Sequence, residues 1–290
     1  MENQSDEMAG KNCLITGSSR GIGFYTALGL ARKGAHVIVV SHNRERSQAA
    51  ADKINQAAGA GSARYYVADL SSQAEIRALA DKIKGDYDHL DVLVNNVGGW
   101  FTGYQESPDG IEMTFALNHL SYFLLTGLLL DLLLAAQSAR IVNVSSYAHR
   151  QLETIQFEDL QFKTKFKTLG AYAQSKLANL LFTYALAERL SEQNITVNAL
   201  HPGFISSELY RHYTFLRPVI LLLTKLFGKN EQQGAQTSIY LASAPEVAGV
   251  TGKYFSDQQE AESSPGSHDP EAAEKLWEIS EKMTGFTYPV

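Results

Sequence analysis

Short runs of apolar, largely β-branched residues alternate along this chain with longer stretches of helical period. The runs fall at Asn12–Thr16, His36–Val40, Ala63–Val67, Leu90–Val94, Arg140–Val144, Ile195–Leu200 and, last, near Lys253–Phe255. Helical patterns follow from Gly21 to about Lys33, near Arg44–Ala57, from Ser72 to Lys84, from Pro108 to about Ala136, and through Tyr172 to about Ser191. A strand that is nearly continuously apolar must be covered on both faces, and a helix after each strand supplies the cover. Right-handed crossovers then give an α/β, doubly wound parallel sheet of about seven strands with helices on both faces, and the order common to such Rossmann sheets, 3-2-1-4-5-6-7, is the one expected. Ligands of such sheets bind at the carboxyl ends of the strands.

At 290 residues the chain can bury one full core, and no linker divides it. We expect a flexible start over residues 1–10 and a single domain over 11–290. Within it lie a segment without clear period at about 150–169, an apolar, aromatic stretch at about 204–229 and a C-terminal helix at about 270–284. Asp269-Pro270-Glu271 is a good start for that helix: a capping side chain, proline in the first turn and an acid at the positive dipole end. With 25 basic residues against 31 acidic ones there is no basic footprint for nucleic acid. The lone Cys13 reads as a small core residue and suits a reducing compartment, so a cytoplasmic location is expected. The acidic, polar N-terminus is neither signal peptide nor anchor, and the most apolar stretches are too interrupted to span a membrane. The eight histidines show no metal-ligand spacing, so no metal is expected.

Strand 1 ends in Thr16-Gly17-Ser18-Ser19-Arg20-Gly21-Ile22-Gly23, where a helix begins. Glycines permit tight turning and close backbone approach, and a helix N-terminus offers unpaired N–H groups to a phosphate. The G-x-x-x-G-x-G spacing differs from the G-x-G-x-x-G fingerprint, and methyltransferases and flavoproteins also use glycine-rich turns of this kind. The end of strand 2 is where an acid would grip an adenosine ribose and repel a 2′-phosphate. Here it carries Ser41, His42, Asn43 and Arg44, with no acid before Glu45, and Arg20 adds a second cation. That favours NADP(H), with NAD(H) second; the plain alternative is that these arginines are solvated helix-start charges. In AYAQSKLANLLF, Tyr172 and Lys176 share a helix face. A neighbouring ammonium favours phenolate and lowers a phenol pKa that starts near ~10, as acid–base work near neutral pH requires. Alone, such a pair can equally be a packed tyrosine beside a snorkelling lysine.

These motifs, with Asp69-Leu70, NNVG at 95–98, Asn118 in FALNHL, RIVNVSS at 140–146 and HPG at 201–203, resemble the short-chain dehydrogenase/reductase family over nearly the whole chain. ARIVNVSSYAH, SKLANLLF, HPGFISSEL, GKYFSD and AEKLWEIS resemble its retinol-dehydrogenase-like branch. The resemblance implies a Rossmann fold and a catalytic tetrad of Asn118, Ser146, Tyr172 and Lys176, with Ser146 rather than Ser145 as the catalytic hydroxyl. It implies that Tyr172 exchanges the proton, Ser146 holds the reacting oxygen, Lys176 also grips the nicotinamide ribose, and Asn118 fixes a relay water. Gly17, Ser19, Arg20, Gly21, Ile22, Gly23, Ser41, His42, Arg44, Asp69, Leu70, Asn95, Asn96, Gly98, Pro202, Gly203, Ile205 and Ser207 would then contact the cofactor. Val97 and Ser207 depart slightly from the pattern, which usually has Ala and often Thr there.

Trp100, Phe101, Tyr104, His149, Phe204 and Tyr210 are candidates for an apolar substrate pocket. RHYTFLRPVILLL, from Arg211, reads as a substrate lid, as a peripheral membrane contact, or as ordinary helix packing or a subunit interface. His201, before Pro202, reads as structural. The functional expectation is an NADP(H)-dependent oxidoreductase interconverting an alcohol and a carbonyl on a lipophilic substrate such as a retinoid, steroid or long-chain carbonyl. The alternative is a catalytically idle NADP(H)-binding protein that senses cofactor or binds a partner. A homo-oligomer is compatible with the resemblance, since family dimers pair through the long helix after strand 4 and the Tyr172 helix.

Overall fold

The computed structural model describes residues 7–59, 61–203 and 229–289. Seven parallel strands form its centre: β1 (Asn12–Thr16), β2 (His36–Ser41), β3 (Ser62–Val67), β4 (Val92–Asn95), β5 (Ala139–Val144), β6 (Ile195–His201) and β7 (Lys253–Ser256). A two-residue strand, β8 (Gln259–Glu260), pairs antiparallel with β7 and makes the order β3-β2-β1-β4-β5-β6-β7-β8. The sequence reading lacks this eighth strand because its turn, Asp257-Gln258, takes two left-handed residues without a glycine (φ 54° and 63°). Chain order reverses between β1 and β4, so the ligand crevice of such a sheet opens above them.

Alternate strand residues feed two cores. Cys13, Ile15, Val37, Val39 and Val142 pack with α1 (Gly21–Arg32) and α2 (Arg44–Ala57). Leu14, Ile38, Leu93, Ile141 and Val197 pack on the other face with α3 (Gln73–Asp86) and the helices after β4. Burial raises the Cys13 thiol pKa and leaves it a core residue. At the start of the described chain, Met8 is buried and its N–H donates to the Lys33 carbonyl, so residues 7–10 form a tied-down turn where flexibility was expected.

The helix expected from Pro108 to Ala136 is four pieces. These are α4 (Met113–Phe115), a π-helical turn (Ala116–Leu120), α5 (Ser121–Leu128) and α6 (Leu130–Ala135). The buried Glu112 carboxylate caps α4, accepting from the Thr114 and Phe115 N–H groups and the Thr114 hydroxyl. The π turn widens the helix at Asn118, and π bulges of this kind concentrate at functional sites.

The helix α7 (Thr168–Arg189) carries Tyr172 and Lys176, and it starts a turn before Tyr172. Between β5 and α7 the segment without period forms 3₁₀ turns over Tyr147–Gln151 and Phe157–Asp159, and it buries Ile155 and Phe162. After β6 come α8 (Glu231–Gly234), α9 (Gln236–Ser243) and α10 (Pro270–Thr284). Asp269 caps α10 at the Glu271 and Ala272 N–H groups. Leu276 packs with Leu177, Ala178 and Leu181 of α7. Trp277 meets Phe123 and Phe182 at 5.1 and 5.9 Å between ring centres. The chain's own C-terminal helix therefore packs on α7.

A polar thread crosses the second core. The Asn95 amide donates to Thr126 Oγ1 and to Asn143 Oδ1, both at 2.9 Å, and Asn143 Nδ2 donates to Thr183 Oγ1 at 3.0 Å. All four side chains are buried. Removing one member strands the others without water. Asn143→Ala is expected to destabilise the fold by about 2–4 kcal/mol, as lost bonds and a cavity add. Urea unfolding monitored by fluorescence checks this; an unchanged midpoint refutes it.

Candidate active site

The turn after β1 is held open by its own backbone. Gly17 and Gly21 take left-handed conformations (φ 65° and 62°). A Cβ on Gly23 would lie 2.6 Å from the Gly17 carbonyl and 2.5 Å from Asn96 Nδ2, so only glycine fits. Ser18 Oγ donates to the Ile15 carbonyl and accepts from the Val40 N–H. Thr16 Oγ1 accepts from the Asn96 and Val97 N–H groups, and Asn96 Nδ2 donates to the Thr16 carbonyl. Arg20 precedes α1 in extended conformation and its side chain does not cap the helix, whose first turn carries no acid of its own. Uncapped N–H groups at a glycine-lined helix start fit a dinucleotide pyrophosphate. Ser19 and Ile22 are partly exposed on this turn.

Next to it, His42 and Arg44 are exposed where β2 ends, as is Arg20 across the turn. Ser41, also a candidate contact, is buried, with its hydroxyl 2.8 Å from that of Ser47. Asp69 accepts from the Ser71 N–H and hydroxyl, while the Leu70 side chain lies in the core. That leaves backbone as the part of Leu70 able to meet a ligand.

The Asn95 side chain points into the polar thread beneath the sheet, which leaves its backbone as the part able to line the cleft. Strand alternation puts the side chain on the face of Leu93, away from Val92 and Val94. Asn96 is the member of the pair that faces the glycine turn.

Lys176, Tyr172 and Asn118 come together beyond β4 and β5. Lys176 Nζ is buried and donates to the Val144 carbonyl at 3.0 Å. It lies 5.7 Å from the ring centres of both Tyr172 and Tyr122. Burial lowers its pKa from 10.5 to about 7. Gly98 sits between Lys176 and Asn118: a Cβ there would be 3.6 Å from Nζ and 3.4 Å from Asn118 Oδ1. Asn118 Oδ1 accepts from the Gly99 N–H, and its Nδ2 donates to the Gly99 carbonyl and to Ser175 Oγ. Ser175 Oγ in turn donates to the Tyr172 carbonyl. The Asn118 amide thus fastens the chain after β4 to α7.

Ser145 and Ser146 divide clearly. Ser145 Oγ is buried and donates to the Lys176 carbonyl at 2.8 Å. Ser146 is partly exposed, and its Oγ accepts from the Ala148 N–H at 3.2 Å. That bond occupies a lone pair and leaves the Ser146 hydroxyl hydrogen to donate elsewhere.

Among the pocket candidates, the half-buried Trp100 lies 4.9 Å from Tyr172 between ring centres, and Phe101 folds back on Gly99. Tyr104 turns away, to Glu106 and Phe166. His149 needs correction as a pocket residue: it is wholly buried, its ring bonded between the Ser146 carbonyl and the Ser264 N–H. His201 accepts the Tyr147 N–H, and burial lowers its pKa to about 4. Pro202 and Gly203 follow, with Gly203 left-handed (φ 91°) beside the Lys229 side chain. Phe204, Ile205, Ser207, Tyr210 and the whole 204–228 stretch lie outside the described residues.

Thr16, Ser18, Tyr122 and Ser175 escaped the sequence reading. Tyr122, whose hydroxyl donates to the Val97 carbonyl at 2.8 Å, stands four positions after Asn118, a spacing that could have found it. Among the described residues no group of three His, Cys, Asp or Glu side chains is arranged to hold a metal, and no helix is long and apolar enough to cross a membrane.

Comparison with known proteins agrees with this geometry. The sequence profile of the short chain dehydrogenase family matches residues 11–214. The chain is 44% identical to retinol dehydrogenase 14 of Mus musculus over 291 aligned positions, covering 96% of this chain and 87% of that one. An uncharacterized protein from Mycobacterium paratuberculosis superposes with a TM-score of 0.79 at 31% identity, covering 97% and 96% of the two chains. RhlG of Pseudomonas aeruginosa, in an active-site complex with NADP, superposes at 0.69 with 29% identity over 88% and 97%. The chain belongs to the short-chain dehydrogenase family, in its retinol-dehydrogenase-like branch, and is an NAD(P)-dependent oxidoreductase of CH–OH and C=O groups.

Proposed function

We propose that this enzyme interconverts an alcohol and a carbonyl on a lipophilic substrate with NADP(H), using Tyr172 as the group that exchanges the proton. One observation carries the reading: a buried ammonium, held by a backbone carbonyl, lies 5.7 Å from the Tyr172 ring centre and against Gly98. When bound, the nicotinamide supplies the hydride chemistry. The chain supplies the rest. Gly17, Gly21 and Gly23 admit the pyrophosphate, and Arg20, His42 and Arg44 offer donors to a 2′-phosphate. Lys176 favours the phenolate of Tyr172, so this residue takes a proton from an alcohol and returns it to a carbonyl oxygen. Ser146, its lone pair already engaged by Ala148, donates to that oxygen and stabilises the charge developing there. Asn118 keeps Gly99 and α7 in register with both.

The lipophilic class is supported by Trp100 beside Tyr172 and by the retinol dehydrogenase name of the relative at 44% identity. NADP(H) is supported by the cations at the ends of β1 and β2, and by the NADP complex of RhlG. The cytoplasmic setting belongs to the same reading, with Cys13 buried and reduced.

All-trans-retinal, decanal and a steroid ketone, each with NADPH and with NADH and followed by absorbance, test the assignment. Turnover of none of them refutes it. Tyr172→Phe is expected to bind NADPH within about threefold of the parent and to lose about a thousandfold in turnover; retained turnover refutes the role of Tyr172. Arg44→Glu is expected to raise KM for NADPH about tenfold and to leave KM for NADH nearly unchanged. Equal effects on the two would remove Arg44 from the 2′-phosphate site.

The lowered pKa of Lys176 gives a signed prediction for the cofactor-free protein. From pH 7 to 10.5 the unfolded chain holds the proton that the folded chain has released. The penalty for burying the ammonium is therefore full below pH 7 and fades toward 10.5. Lys176→Met should be inactive, yet more stable than the parent at about pH 6, with the advantage shrinking as pH rises. An advantage independent of pH, read by urea unfolding, contradicts this account.

A further inference from the structure

His149 is fully buried three residues past Ser146, and the mechanism above gives it no proton to move. Its Nδ1 lies 2.6 Å from the Ser146 carbonyl oxygen, and its Nε2 lies 3.1 Å from the Ser264 backbone nitrogen. An amide N–H can only donate, so Nε2 is the bare nitrogen and accepts. A carbonyl can only accept, so the ring hydrogen is on Nδ1 and points at Ser146. Geometry fixes the tautomer. The Tyr254 ring packs edge-on at 5.3 Å and leaves the imidazole one orientation. Burial lowers its pKa to about 4, which keeps the ring neutral at working pH.

Ser146 stands where β5 gives way to a 3₁₀ turn. Its carbonyl oxygen has two fixed donors, the His149 N–H of the turn at 3.1 Å and the His149 ring. The direction of that carbonyl sets the peptide plane, and the peptide plane sets where the Ser146 Cα–Cβ bond aims. The second contact of the ring reaches the segment before α10, to which Arg150 also donates at the Glu262 carbonyl.

We propose that His149 is a positioning residue for catalysis: its Nδ1–H holds the Ser146 carbonyl and so aims the Ser146 hydroxyl at the reacting oxygen, while the bond that its Nε2 accepts from Ser264 serves stability alone. The proposal rests on the assignment of Ser146 made above. A donor displaced by about 1 Å costs on the order of a hundredfold in rate, so loss of this support falls on kcat and spares cofactor binding.

The two bonds separate chemically. In His149→Asn the amide nitrogen stands near the Nδ1 position and keeps the donor to Ser146. In His149→Gln the amide oxygen stands near Nε2 and keeps only the acceptor for Ser264. Ser264→Pro removes that N–H, together with a hydroxyl that has no hydrogen-bond partner among the described residues, at a residue whose φ of −69° suits proline. With NADPH and the fastest carbonyl of the panel above, His149→Gln should lose tenfold or more in kcat with KM for NADPH unchanged. His149→Asn and Ser264→Pro should keep kcat within about threefold, even where melting temperature falls. Equal losses in the Asn and Gln variants, or losses that follow melting temperature across all three, overturn the proposal. Ser146→Ala separates the two levels. Full activity there sinks the assignment of Ser146, whereas an inactive Ser146→Ala beside a normal His149→Gln sinks only the role of His149. Nitrogen-15 histidine NMR of the unaltered protein provides a test that needs no variant to fold. A His149 ring protonated on Nε2, or titrating near neutral pH, overturns the proposal as well.

Discussion

Everything at this site depends on one buried ammonium. Lys176 Nζ has given up bulk water and gained a single strong acceptor, the Val144 carbonyl at the end of β5. Burying a cation is costly unless it is hydrogen-bonded. The fold offsets the cost partly with a second bond running the opposite way, from Ser145 Oγ to the Lys176 carbonyl. The two form a clasp between the end of a central strand and the first turns of α7. A helix held by that clasp cannot slide without uncovering a charge. Tyr172, one turn earlier, inherits the position, and the two aromatic rings flanking Nζ at 5.7 Å keep water away from it.

A second regularity follows: the reactive groups are held by backbone more than by one another. Asn118 is bonded on both edges to Gly99, Thr16 takes two N–H groups of the chain after β4, and Asn96 returns a donor to the Thr16 carbonyl. Backbone groups cannot change rotamer, so such a site is already organised before a ligand arrives. The π turn at Ala116–Leu120 belongs to the same logic, because an extra residue in one turn moves Asn118 out of the regular helical face and toward Gly99.

The sheet was legible because strands covered on both faces must be apolar throughout; the glycine turn and the Tyr172–Lys176 pair were visible as spacings, but their meaning came only from the other motifs that accompany them along the chain. Other features lacked a signal. Nothing in FALNHLSYF marks a π turn, so the helix after Pro108 read as continuous. The β7–β8 turn uses Asp257 and Gln258 where glycine is the usual sign. The orientations of the Asn95 and His149 side chains were hidden for one reason: nearness along the chain to functional residues says nothing about the side from which a residue approaches. For Asn95 the strand period held the answer, since Leu93, two residues earlier, lies on the face that packs against α3 and the helices after β4. For His149 the deciding partner, Ser264, is more than a hundred residues away, and no local pattern could supply it.

Three histidines near the site share one physical state. His119, His149 and His201 are each buried, each held at a pKa of about 4 by that burial, and each bonded to chain distant in sequence. His119 reaches Asn179 and Ser280, His149 reaches Ser264, and His201 receives the Tyr147 N–H. A neutral imidazole offers one donor and one acceptor on opposite edges of a rigid ring, so it can join two segments that a hydroxyl is too short to span. Charging it would turn the acceptor into a second donor and set it against the N–H it now receives. Burial therefore does two things here: it keeps these rings neutral, and by doing so it keeps the residues after Glu262 attached to the turn that presents Ser146 and to the helix that presents Asn118. The C-terminal part contributes no reactive group among the described residues, yet it is bonded to the segments that carry them.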